Sequence, residues 1–212
     1  MLEGQIKILI QFLIASYEMG DKKPQEFESS LTFFRLISYY KQFKWIGDCI
    51  SQNAYHQVIR ELRFILDSII QAYYVDKRHP ASDMQCKLEI VKEIEYLYGS
   101  DLIDKTDLSH KHHLKKLYGE LCKYVHSSYK ELLSSRPKDP KKIAGLEFEP
   151  DPDMMKLCLS FVNRTIDVVF FVVLSLYPEI LGPDTRFGKI RTSFPQSSKK
   201  LGFELTLSKW IR

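Results

Sequence analysis

The stretch NAYHQVIRELRFILDSIIQAYYVDK, residues 53–77, decides the fold class. Tyr55, Ile59, Leu62, Leu66, Ile69 and Tyr73 recur in it at alternating steps of three and four, the spacing of one face of an α-helix. A helix with a continuous apolar face must bury that face against partners, and the flanking sequence offers partners of the same kind. On the N-terminal side, residues 2–19 carry Ile6, Leu9, Ile10, Leu13 and Tyr17 at helical spacing, and Gly20, Asp21 and Pro24 stop the run. Residues 30–50, capped by Ser29 or Ser30, predict a second helix rich in aromatics (Phe33, Phe34, Tyr39, Tyr40, Phe43 and Trp45). Asn53 is the expected cap of the third helix, and His79 with Pro80 ends it.

On the C-terminal side, Ser82 with Gln85 reads as a capping box for a fourth helix that Gly99 closes. Residues 100–108 read as an acidic connector. A fifth helix is expected over 109–134, with Leu114, Leu117, Tyr118, Leu121, Val125 and Leu132 on its apolar side. The Pro-, Lys- and Asp-rich residues 135–150 form a linker. Asp151 followed by Pro152 is an N-cap with proline at the first helical position, and the sixth helix runs to about residue 177. It is apolar nearly all round, which predicts the central helix of the bundle. In the tail, Phe203, Leu205 and Leu207 alternate with polar residues, a strand-like period, and Trp210 and Ile211 suggest packing on something, such as a second protomer. The expected architecture is therefore an all-α bundle of about six helices over residues 1–182, with a short irregular or hairpin-like arm at 183–212.

Composition limits the function classes. An apolar share of 44% with 27% charged residues in 212 residues fits a globular chain and not a disordered one. The net charge of +4 is uneven: residues 183–212 hold seven basic residues against Asp184 and Glu204, which points to an anionic partner. Cys49, Cys86, Cys122 and Cys158 stand singly with no CxxC pair, which suits buried thiols in a reducing cytosol. The longest apolar run, residues 168–174, is far short of the roughly 20 needed to span a bilayer, and the N-terminus lacks a basic signal region. A cytoplasmic location without a membrane partner is the expectation.

No glycine-rich phosphate loop, nucleophile elbow or zinc-protease motif is present, and no motif implies a cofactor. What remains is polar residues at the edge of apolar stripes. At 100° per residue, His56, Arg63, Asp67 and Tyr74 fall about 80–120° from the stripe of the third helix, with Arg60 close by. On the fifth helix His126 stands about 120° from the apolar centre, with Lys115, Gly119 and Cys122 on its flank. Gly119 would let a neighbouring helix or a ligand approach closely. Arg60, Arg63 and Asp67 read either as a phosphate-binding pair with an orienting carboxylate or, for Arg63 and Asp67 at i, i+4, as an ordinary ion pair. His126 reads as a general acid/base or as a packed histidine.

The blocks RELRFILD (60–67) and YGELCKYVHSS (118–128) resemble the helical domains called HEPN (higher eukaryotes and prokaryotes nucleotide-binding) over roughly residues 53–134. The resemblance implies an α-helical, commonly dimeric bundle, either a metal-independent ribonuclease or an inactive relative that binds RNA or nucleotide. In active members an arginine separated by four to six residues from a histidine positions phosphate while the histidine handles protons. With His126 as that histidine, the eligible positions hold Gly119, Glu120 and Leu121, so intact ribonuclease activity is not expected. The phosphate contact then falls to Arg60, Arg63, Lys115 or Lys123, with Asp67 beside them.

Two rival readings come from the residues themselves. The missing catalytic motif together with the apolar end of the arm fits a non-enzymatic helical scaffold that forms homodimers. His110, His112 and His113, near Asp101, Asp104 and Asp107, raise a metal-dependent hydrolase. Adjacent His112 and His113 point about 100° apart on a helix, which argues against one ion held by both, so no metal ligand is assigned.

Overall fold

The computed structural model describes residues 10, 12, 14, 16–18, 27–97, 99–125 and 150–181. Within them the chain is all-α. Six helices follow in order: α1 Leu31–Ser51, α2 Tyr55–Arg78, α3 Met84–Glu93, α4 Gly99–Lys105, α5 Lys111–Val125 and α6 Pro152–Leu176, closed by a 3-10 turn at Pro178–Leu181. The described residues between 10 and 18 are helical as well, and Phe12 among them packs its ring 4.5 Å from that of Phe170 on α6. The arm at 183–212 and His126 lie outside the described residues.

The bundle is organised around α2, which packs against each of the other five helices. Its six stripe residues are all buried, and Val58, Ile65, Ile70 and Val75 widen the apolar surface enough to serve several neighbours at once. The expectation that the sixth helix would be central is thus corrected. Strongly apolar α6 packs on α1, α2 and α5, while amphipathic α2 meets all five other helices with its apolar side. By length and composition α6 could cross a membrane, with a mean hydropathy of 1.9 over its most apolar window. However, 67% of that window is buried inside the bundle, the pattern of a core helix.

Several boundaries differ from the sequence reading for local reasons. Residues 100–108 are not a connector, because α4 occupies Gly99–Lys105 and buries Leu102 and Ile103. Gly99 opens that helix instead of closing the one before. Asp83, not Ser82, caps α3 by accepting from the Cys86 amide at 2.8 Å. Asn53 is not the cap of α2; it sits in the left-handed region at φ 58° and accepts a hydrogen bond from the Tyr55 hydroxyl at 2.9 Å. Of the two expected caps of α1, Ser29 and Ser30, it is Ser30 that accepts from the Phe33 amide, and the expected cap Asp151 accepts from the amides of Asp153 and Met154.

The entry to α1 is fixed from outside the helix. The Asp76 carboxylate near the end of α2 accepts from the Ser30 hydroxyl at 2.9 Å and from the amides of Leu31 and Thr32 at 3.1 and 2.8 Å. These are N-terminal donors with no intrahelical partner, and an anion there also meets the positive end of the helix dipole. The Lys87 ammonium of α3 closes the network, donating to Asp76 at 2.9 Å and to the Ser29 carbonyl at 2.7 Å. Both charged side chains are all but sealed from solvent, at 2% exposure for Lys87 and 4% for Asp76. One buried ion pair thus ties α1, α2 and α3 together.

Candidate functional site

Three of the sequence-nominated residues, Arg60, Arg63 and Asp67, line one groove. Gln57, Glu61 and Phe64 of α2 and Val125 of α5 complete it, enclosing about 470 Å³. It forms because the polar edge of α2 runs at i, i+3, i+4 and i+7, just beside the face that α5 covers.

Within the groove the two arginines differ. Arg63 is committed to the protein: it donates to the Tyr118 hydroxyl at 3.0 Å, lies 3.7 Å from the Asp67 carboxylate, and sits 5.4 Å from the Tyr118 ring centroid. Asp67 also accepts from the Gly99 amide at 3.2 Å. Burial pushes the Asp67 carboxyl up, against the lowering effects of that amide and of Arg63. Burial and the nearby Asp67 charge push the Tyr118 hydroxyl to about 12, so it is a neutral hydrogen-bonding group at physiological pH. Gly99 has φ 61°, and a Cβ built on it would fall 2.5 Å from the Tyr118 ring; the closeness of α4 to α5 therefore requires glycine there.

Arg60, by contrast, is exposed and has no hydrogen-bond or ion-pair partner among the described residues. One turn further along α2, the Phe64 ring is 50% exposed at the groove. Sequence reasoning missed Phe64 because periodicity gives an aromatic to the core by default. Only its exposure marks it.

The other nominated residues are placed elsewhere. Lys115 pairs with Asp104 of α4 at 2.6 Å and does not line the groove. Lys123 is exposed on α5 outside it. His126 follows Val125, which does line the groove, but lies beyond the described residues. Gly119 faces open space, with nothing within 4 Å of where a Cβ would stand, so no neighbouring helix among the described residues approaches it closely. Among the described residues no group of three or more His, Cys, Asp or Glu side chains is placed to hold a metal ion. Asp104 and Asp107 are instead engaged with Lys115, and with Tyr73 and Lys77, respectively.

Two further clefts were not legible in sequence. His113, Lys116, Glu120, Arg164 and Asp167 line about 260 Å³ between α5 and α6, where Arg164 is ion-paired to Glu120. Lys77, Arg78 and Lys105 line about 300 Å³ where the C-termini of α2 and α4 meet, with Arg78 stacked 4.5 Å over the Tyr74 ring. Cations at helix C-termini balance the negative ends of the dipoles, and Arg78 accordingly donates to the Lys105 carbonyl at 3.4 Å. No family model, curated protein or solved structure matches this chain.

Proposed function

We propose that the chain is a HEPN-like helical module that binds RNA or a nucleotide at the α2–α5 groove, without an intact ribonuclease centre. The observation that carries this reading is the pairing of Arg60 with Phe64 on one groove edge. A guanidinium without a protein partner can take phosphate bidentately, and an exposed ring one turn away can stack a base. Arg63, Asp67 and Tyr118 act here as a scaffold that fixes the groove wall and leaves Arg60 as the ligand-facing cation. Lys115, held by Asp104, drops out of the ligand set, and Lys123 remains an accessory charge on α5. Gly119, Glu120 and Leu121 at the positions of the family arginine support binding without turnover.

The test is titration of labelled single-stranded RNA in excess chelator at two salt concentrations, with cleavage followed in the same samples. Binding should weaken as salt rises, with a log–log slope of about −0.7 per phosphate contact. Arg60→Ala should weaken it by about tenfold, the effect of losing one charge-assisted phosphate contact. His126→Ala should leave binding in place. Equal affinity at both salt concentrations, or no binding at low salt, would remove this reading.

A further inference from the structure

Helix α1 exposes more large apolar side chains than any other element described. Phe34, Ile37, Tyr40 and Trp45 are 56%, 39%, 36% and 48% accessible. At 100° per residue Phe34, Ile37 and Trp45 fall within an arc of about 80° and extend about 16 Å along the helix. Isolated exposed apolar residues are ordinary, but several gathered on one helix face mark an interaction surface. Lys41 lies inside the same arc, between Phe34 and Trp45, and Lys44 lies at its edge. Both lysines are exposed and neither has a partner among the described residues. Asp48, inside the arc at its C-terminal end, is the single acid of α1, against Arg35, Lys41 and Lys44.

We infer that this face of α1 is a second nucleic-acid contact, on which single-stranded RNA stacks bases against Phe34 and Trp45 while Lys41 and Lys44 meet its phosphates. The inference rests on the reading that the chain takes a polynucleotide. Charge decides between the possible occupants. A second copy of α1 laid antiparallel with Phe34 over Trp45 would bring the two Lys41 side chains within about one turn of each other, and a parallel copy would oppose each lysine to itself. The segment 183–212 carries seven basic residues against two acidic ones, so it too would set cation against cation. An anionic partner is the one that gains from this surface. Against a lipid headgroup layer the stripe would have to sink into the acyl boundary with Lys41 at its centre, whereas interfacial helices keep lysine on the polar flank. Aromatic rings interleaved with cations are instead the pattern of single-strand binding.

The chain has two tryptophans, so Trp210→Phe leaves Trp45 as the sole reporter in the full-length protein. An oligouridylate of about 16 nucleotides, within the range of single-strand site sizes, is titrated at low salt. Saturable quenching of Trp45 emission is expected. Phe34→Ala should weaken binding by about 5- to 150-fold, the range for one lost base stack. Lys41→Glu with Lys44→Glu should weaken it by about tenfold or more at unchanged Tm, since both side chains lie on the surface. If binding responds to Arg60→Ala but Trp45 is not quenched and the charge reversal is silent, this inference falls while the groove reading stands. Loss of binding on charge reversal with no response to Arg60→Ala would do the opposite. No binding at all overturns both readings. A blue shift of Trp45 on phosphatidylserine vesicles, without quenching by RNA, would assign the face to lipid and overturn the inference.

Discussion

Removing the Asp76 carboxylate tests whether one buried ion pair governs how α1 joins the bundle. Asp76→Ala deletes the acceptor for four donors: the Ser30 hydroxyl, the amides of Leu31 and Thr32, and the Lys87 ammonium. The largest consequence is electrostatic. Lys87, 2% exposed, would keep only the Ser29 carbonyl at 2.7 Å as partner for a full charge. Stranding one member of a buried pair costs about 3–5 kcal/mol, and two uncapped amides at the start of α1 add to that cost. Measured against a typical total of about 5–15 kcal/mol, this is a large fraction of the stability of the fold.

Urea unfolding followed by circular dichroism reads this directly, provided the m-value stays constant. Lys87→Met should cost less, because the carboxylate would retain three neutral donors. The double variant Asp76→Ala/Lys87→Met should be more stable than Asp76→Ala alone, since it strands no charge, and the cycle should report a coupling of about 1–3 kcal/mol. An Asp76→Ala protein within about 1 kcal/mol of the parent, or two effects that simply add, would refute the argument.

The remaining predictions concern the groove wall and the thiols. Gly99→Ala should destabilise the protein by about 1–3 kcal/mol, because φ 61° and the Tyr118 ring 2.5 Å from the new Cβ both oppose it; thermal melts of Gly99→Ala beside Ser100→Ala give the comparison. The folded-state pKa of Asp67 is raised, so the native state holds more of this proton than the unfolded chain and the contribution of Asp67 falls as pH rises through that window. Asp67→Asn, which keeps an acceptor for the Gly99 amide, should therefore lessen the loss of stability between acid and neutral pH; an unchanged or steeper pH profile would contradict the burial argument. In alkylation with an excess of iodoacetamide, exposed Cys86 should react first. Cys158, buried and with its thiol pushed up to about 12, should react only on unfolding, which peptide mass mapping would resolve.

The sequence by itself determined the helical class, the apolar face of α2, the cap at Asp151 and the cap of α1 to within Ser29 or Ser30, because each is a local fact. A period of 3.6 residues and a side chain that bonds its own first turn need no knowledge of the rest of the chain. It also singled out Arg60, Arg63 and Asp67, because angular position on one helix can be counted. Local reading was weakest where glycine and short polar runs were ambiguous. The seven residues of α4 passed for a connector because Leu102 and Ile103 are too few to show a period.

Tertiary structure alone decided which charges are committed and which remain available. Arg63 meets Tyr118 across 55 residues, Asp76 meets Ser30 across 46, and Arg164 meets Glu120 across 44. No spacing rule couples positions so far apart. It likewise decided which aromatics are core, since Tyr39 is sealed at 0% exposure while Phe34 and Phe64 stand in solvent. Hydrophobicity tells a side chain to leave water, but whether it can depends on how many faces of its helix the neighbouring helices cover.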